Sequence, residues 1–252
     1  MLELITPILL TFNEERNIGR TLSRLSWARD IVVVDSGSTD GTVDILNTCD
    51  NVRVFSRKFD SHADQWQFAL KQTGIETEWV LALDADYLLT LELVDELKKL
   101  TPEIGINGYN VSFAYCINGK PVRGSLYPPV CVLYRRETAD YVQQGHTQRI
   151  RVDRRTLDLK SLIYHDDRKT FAVWFQSQIK YAGLEKQLIR STRWQELSLS
   201  NKLRKLIVVT PILVPVYILF IKGAVLSGMP GLKYAGQRLI AECLLSYHLL
   251  FK

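Results

Sequence analysis

The stretch WVLALDADYLL, residues 79–89, runs from Trp79 to Leu83 without a polar side chain, meets Asp84-Ala85-Asp86, and turns apolar again. Burying a carboxylate without a partner is costly, so such groups are usually paired or bind a cation. Two readings follow. Either the aspartates merely end a strand, or they hold a cation and a substrate. In an extended chain, alternation would put Asp84 and Asp86 on one side, about 6.6 Å apart.

Upstream of this stretch, strand and helix patterns alternate. ITPILL (5–10) is a short apolar run, and a helix over 15–25 carries Ile18, Leu22 and Leu25 at helical spacing. IVVVD (31–35) is β-branched and uninterrupted, as expected for a strand covered on both faces of a parallel sheet. SGSTDGT follows as a loop, with Thr39 or Asp40 as N-cap of a helix through Val43 and Leu46. VRVF (52–55) is a third strand, 62–72 a helix, and 79–84 the fourth strand. This alternation predicts an α/β fold with a mixed, mostly parallel sheet and helices on both faces.

Downstream the pattern changes. YNVSFAYCING (109–119) and VCVLYRR (130–136) are strand-like, separated by the turn-prone NGKPVRG, and complete a mixed sheet. A long helix over 169–189 carries Phe171, Trp174, Phe175, Ile179 and Ala182 on one side. The segment 206–221, LIVVTPILVPVYILFI, is the most hydrophobic in the chain, yet shorter than the roughly 20 residues of a spanning helix. Pro211 and Pro215 interrupt it. An in-plane or re-entrant membrane segment is the favoured reading, ahead of a buried hairpin or oligomer interface and of a full span. The expected domains are 1–168, catalytic, and 169–252, a helical region associated with a membrane.

With 252 residues and 46% hydrophobic content, the chain suffices for one large α/β domain and a smaller appendage. Its net charge of +5 is uneven: Lys180, Lys186, Arg190, Arg193, Lys202, Arg204 and Lys205 gather in the C-terminal third. Basic residues beside an apolar segment suit an anionic membrane surface more than a nucleic acid. The four cysteines form no C-x-x-C pair, which disfavours a zinc site and points to a reduced compartment. MLELITPILLTFNEE lacks basic residues before its apolar run and reads as a first strand, not a signal peptide.

Three polar clusters close three predicted strands on one sheet edge: Asn13-Glu14, Asp35, and Asp84 with Asp86. Open α/β sheets bind ligands at that edge. Paired carboxylates there suit a hard divalent ion bridging a diphosphate. Asp35 is placed to accept from a base N–H or a ribose hydroxyl, while Gly37 and Gly41 allow tight turns.

TFNEERNI (11–18), VVVDSGSTDGT (32–42), FDSHADQWQFAL (59–70) and LALDADYLL (81–89) together resemble family 2 glycosyltransferases of the GT-A fold. The nearest flavour is the bacterial lipopolysaccharide core glucosyltransferase branch of the KdtX/WaaE type. The resemblance implies a nucleotide-sugar donor, UDP-linked, a Mg²⁺ or Mn²⁺ ion, and inversion at the anomeric carbon. Carried over by position, Thr11, Asn13, Glu14 and Asp35 line the nucleotide, Asp84 faces ribose or metal, and Asp86 ligates the metal. Gln65 and His62 are further donor contacts.

Relatives often carry a His-Glu pair where this chain has Thr147-Gln148, and glutamine cannot accept a proton as a general base. LIYHDDRK (162–169) offers a replacement. There His165 is a candidate third metal ligand, Asp166 or Asp167 the base, and Arg168 a partner for a diphosphate oxygen. The plain alternative is a solvated turn with Asp167 capping the next helix. His146 is a second candidate base.

The leading expectation is an enzyme of cell-envelope biosynthesis, peripheral or monotopic on the cytoplasmic face of the bacterial inner membrane, that adds a sugar to a lipid-linked or glycan acceptor. The helical tail could also pair two chains. A polyprenyl-phosphate sugar synthase and a non-catalytic nucleotide-sugar binding protein are the competing readings.

Overall fold

The computed structural model describes residues 1–144, 147–153 and 155–251. Two compact units divide them: residues 1–114 with 127–168, and residues 115–126 with 169–252. Residues 115–126, a hairpin extension inside the first expected domain, group instead with the helices.

The first unit is built on β1 (Ile5–Thr11), α1 (Ile18–Ser23), β2 (Ile31–Asp35), α2 (Thr42–Leu46), β3 (Val52–Ser56), α3 (His62–Gln72) and β4 (Trp79–Asp84). β5 (Tyr87–Leu89), α4 (Leu91–Lys99) and β6 (Ile106–Ile117) follow. β8 (Val130–Arg135), β9 (Ala139–Gln144), β10 (Thr147–Val152) and β11 (Arg155–His165) complete its strands, while β7 (Lys120–Pro121) falls within the 115–126 segment of the second unit. The sheet order is β3-β2-β1-β4-β8-β6-β11-β5, with β7 beside β6 and a separate β9–β10 ribbon. β3, β2, β1 and β4 are parallel, and β8 adds antiparallel to β4.

Burial on both faces explains the unbroken β-branched run of β2. Ile31 and Val33 enter one core with Ile18, Leu22 and Leu25 from the α1 region, Leu46 of α2 and Leu93 and Leu97 of α4. Val32 and Val34 enter the other, against Trp66, Ala69 and Leu70 of α3. Successive residues thus serve opposite layers, as a covered parallel strand requires. Register then levels the strand ends, since Thr11 lies opposite Asp35 and Leu10 opposite Asp84.

The strand alternation expected across Asp84-Ala85-Asp86 does not occur. β4 ends at Asp84, residues 85–86 form a turn, and β5 leaves to pair antiparallel with β11. Three strands lie between β4 and β5 in the sheet order, yet only two residues lie between them in the chain, so the sheet must curl back on itself. The turn is pinned twice. Thr21 Oγ1 donates to Ala85 O at 2.6 Å, and Asp166 N donates to Asp86 O at 3.0 Å.

The second unit holds α5 (Phe171–Ser191), α6 (Leu199–Arg204), α7 (Val209–Val216) and α8 (Met229–Phe251). The cap of α5 is Thr170, not Asp167, with its hydroxyl accepting from Val173 N. Of the apolar face expected on α5, Ala182 is buried but Phe171 and Ile179 are exposed. The reason is local: Ala182 and Ile189 pack on Leu245 of α8, while Phe171 stacks on Trp174 and Phe175 of its own helix. Among the described residues no helix is long and apolar enough to cross a membrane.

Candidate active site

The loops after β1 and β2 are stitched together by hydrogen bonds. Asp35 is buried and works locally: Oδ1 accepts from Thr11 Oγ1 (2.8 Å) and Ser38 Oγ (2.6 Å). Its Oδ2 accepts from the amides of Gly37 (2.9 Å) and Ser38 (2.8 Å). A carboxylate with four protein donors shapes the Ser36–Ser38 turn. Gly37, at φ 88°, supplies the left-handed residue the turn needs. Asn13, also left-handed at φ 55°, donates from its amide to Ser38 Oγ and accepts from Thr39 N, each at 2.8 Å. Asparagine is among the few non-glycine residues that tolerate this conformation. Glu14 N donates to Thr42 Oγ1 at 2.7 Å. Asp40 holds Thr42 N at 3.1 Å, but the N-cap of α2 is Gly41, one residue after the expected pair.

Gln65, expected at the donor, is fully buried beneath this loop. Its amide donates to Ser36 Oγ (2.9 Å) and Arg57 O (3.0 Å), and its oxygen accepts from Arg57. It therefore supports the loop from below. His62 is exposed and lies edge-on to Phe59. His146 lies outside the described residues.

Across the site, the β5–β11 register sets His165 opposite Tyr87. This brings His165 Nε2 to 3.0 Å from Asp86 Oδ2, although 79 residues separate them. Tyr87 and Tyr127 meet the imidazole edge-on at 5.2 and 5.1 Å, and their hydroxyls hydrogen-bond to each other. Phe113 closes the aromatic box. Burial alone would pull the His165 imidazolium down. The carboxylates of Asp86, Asp84 and Asp167 outweigh it and raise the group above its ordinary 6.5. Burial, then Asp84, Tyr127 and Asp86, push the Tyr87 phenol well above its ordinary range, so it stays a neutral hydrogen-bonding group.

Asp166 is 2% exposed. It accepts from Arg20 Nη1 at 2.6 Å and from Arg168 Nε and Nη2 at 2.9 and 2.8 Å, while Arg20 Nη2 also reaches its carbonyl at 2.7 Å. Both expectations for this segment change accordingly. Asp166 sits between two guanidiniums, and Arg168 spends its guanidinium on Asp166. Asp167 is more open, with Oδ1 accepting from Asn17 Nδ2 at 2.9 Å. The sequence pattern does not single out Asn17 or Arg20, though Asn17 stands inside TFNEERNI and Arg20 one helical turn later. Asn17 is fully buried; its Nδ2 also donates to Glu14 Oε2 at 2.8 Å, and its Oδ1 accepts from Arg168 N at 2.9 Å and Arg20 Nη2 at 2.8 Å.

Residues 7–224 match Glycosyl transferase family 2. The chain belongs to this family. The lipopolysaccharide core biosynthesis glycosyltransferase LpsC of Rhizobium meliloti (strain 1021) is 32% identical over 105 residues, 40% of this chain and 36% of that protein. The uncharacterized glycosyltransferase RT0209 of Rickettsia typhi is 34% identical over 97 residues, 38% of this chain and 32% of that protein. The matched region thus spans about a third of these curated relatives. Among solved structures, S. aureus TarS 1-349 in complex with UDP-GlcNAc superposes with a TM-score of 0.52 at 17% identity, covering 86% of this chain and 73% of that one. At that identity the likeness speaks for the fold, which is of the GT-A type.

A divalent ion can be tested against this donor set. Among the described residues no group of three or more His, Cys, Asp or Glu side chains is gathered to hold an ion. The expected trio of Asp84, Asp86 and His165 is thus not assembled as a cage; Asp86 and His165 are in contact. Mg²⁺ at nucleotide sites is usually held by one or two carboxylates plus phosphate oxygens and water, so the pair with Asp84 nearby fits.

Proposed function

We propose that the chain transfers a sugar, with inversion, from a UDP-sugar to a hydroxyl of a lipid-linked or envelope glycan acceptor at a membrane surface. One observation carries this reading. The level ends of β1, β2 and β4 present a rigid loop pair beside Asp84, and the Asp86–His165 contact stands at the same edge. TarS, crystallised with UDP-GlcNAc, shares the fold and supports the choice of donor class. LpsC, named for lipopolysaccharide core biosynthesis, supports the acceptor class.

The nucleotide would lie along the Thr11–Asn13 and Ser36–Thr39 loops. Asp35 acts there by fixing the loop rather than by direct contact. Asp84, Asp86 and His165 would hold Mg²⁺ or Mn²⁺. Bound there, the ion would offset charge on the departing nucleoside diphosphate. Tyr87 and Tyr127 orient His165. The acceptor hydroxyl attacks the anomeric carbon as the bond to the diphosphate breaks, and its proton passes to a carboxylate. Asp167 suits this role better than Asp166, because Asn17 orients it, whereas Arg20 and Arg168 both hold the Asp166 carboxylate.

A nucleotide-sugar panel read by thermal shift with Mn²⁺ tests the reading. Donor at a hundredfold over Kd stabilises by about 2.7 kcal/mol. Asp86→Ala is expected to abolish that shift. No stabilisation by any nucleotide sugar would defeat the donor assignment. An equal shift in excess EDTA would defeat the metal.

A further inference from the structure

Burial in the helical unit is inverted over one segment. Between Leu206 and Leu232, twelve large apolar side chains are each at least 43% exposed, and Ile221 reaches 73%. In the same stretch the buried positions are Thr210, at 5% exposure, the small residues Ala224 and Gly231, and a single large apolar side chain, Ile218. Water-facing surfaces show the opposite arrangement, and contiguous apolar patches of this kind mark an interaction site.

The segment is ordered. α7 and α8 pack together, and Ile218 and Ala224 seat in a small core with Ile117, Val122 and Tyr234. Exposure is thus a property of a folded surface. Gly124 and Gly231 permit close backbone approach to Lys222 and Ala224, fixing the loop that presents Phe220, Ile221 and Leu226.

Charge indicates the occupant. No acidic residue occurs between Glu196 and Glu242, while Lys202, Arg204, Lys205, Lys222, Lys233 and Arg238 do. Arg204 and Arg238 are tied to the buried Glu242. Lys222 and Lys233 are exposed within and beside the apolar segment, and Lys202 and Lys205 lie against the ring of the exposed Trp194. A second protein copy would bring the same cations against each other. An anionic headgroup layer over an apolar interior satisfies both features.

We infer that residues 206–232 form a surface that inserts into one leaflet of an anionic phospholipid membrane, resting on the reading above only in that the acceptor is lipid-linked. The full chain is expected to co-sediment with vesicles of equimolar phosphatidylcholine and phosphatidylglycerol, and more weakly with phosphatidylcholine alone. Phe220→Glu/Leu226→Glu should weaken partitioning at least about tenfold. Lys222→Ala should weaken it about fivefold, on the anionic vesicles only. Both variants alter exposed side chains and should melt like the wild type by circular dichroism. Wild-type protein left in the supernatant with both vesicles would overturn the inference. So would unchanged sedimentation of the folded double variant, or a concentration-dependent dimer, broken by those substitutions, in a protein that ignores vesicles. Vesicle binding and donor stabilisation are read separately, so either can fail without the other.

Discussion

Replacing Asp166 by alanine removes the shared acceptor of Arg20 and Arg168. Deleting one partner of a buried ion pair typically costs about 3–5 kcal/mol, because the remaining charge is stranded. Here the two arginine side chains keep 33% and 37% of their exposure and can partly rehydrate, which reduces the penalty to about 2–4 kcal/mol. At roughly 2–4 °C per kcal/mol for a chain of this size, the melting midpoint should fall by roughly 4–16 °C. Asp166→Asn keeps the shape but not the charge and should lose part of this. Asp167→Asn supplies the contrast. It removes one partly exposed acceptor, worth about 1 kcal/mol or less, yet should lower turnover about a hundredfold or more with donor binding retained. Calorimetry and initial rates on the three variants separate the roles. An Asp166→Ala protein that melts like the wild type while its turnover collapses would refute the assignment of Asp166 as a structural anchor.

Glu96 carries a pH prediction. Burial raises its carboxyl, but the amides of Lys160 and Ser161, each donating at 2.9 Å, outweigh this and hold it below its ordinary 4.5. A depressed folded value means that the stabilisation is present above the unfolded value and is lost as pH falls through the folded one. Glu96→Gln should therefore cost about 1 kcal/mol at neutral pH and progressively less in acid, as read by urea denaturation across pH. Burial also pushes the Cys131 thiol up to about 12. Iodoacetamide at mildly alkaline pH should modify the exposed Cys243 in the native protein and spare Cys131, and equal labelling would contradict that placement.

The alternating apolar runs of residues 5–84 were legible because burial on both faces demands β-branched strands, and amphipathic helices must cover them. The bounds of β2, α3 and β4 were readable to the residue for that reason. The levelling of Asn13, Asp35 and Asp84 on one edge also follows from strand order. Local geometry was less legible. Asp35 looked like a ligand contact, but the amides of Gly37 and Ser38 and the hydroxyls of Thr11 and Ser38 take its four hydrogen bonds, and a one-dimensional pattern does not record where such donors point. Asp84 and Asp86 looked like one face of a strand, but the chain turns between them.

What the sequence by itself determined is the layered α/β core, the acidic strand ends and the abrupt passage to a basic, apolar tail, since each depends on composition and spacing along a single element. Only the tertiary structure decided that His165 meets Asp86, that Asp166 belongs to Arg20 and Arg168, and that Asn17 joins Glu14 to Asp167. Apart from Arg168 beside Asp166 and Glu14 beside Asn17, those partners come from different elements, and it is the curl of the sheet and the antiparallel docking of β11 on β5 that set them within hydrogen-bonding reach.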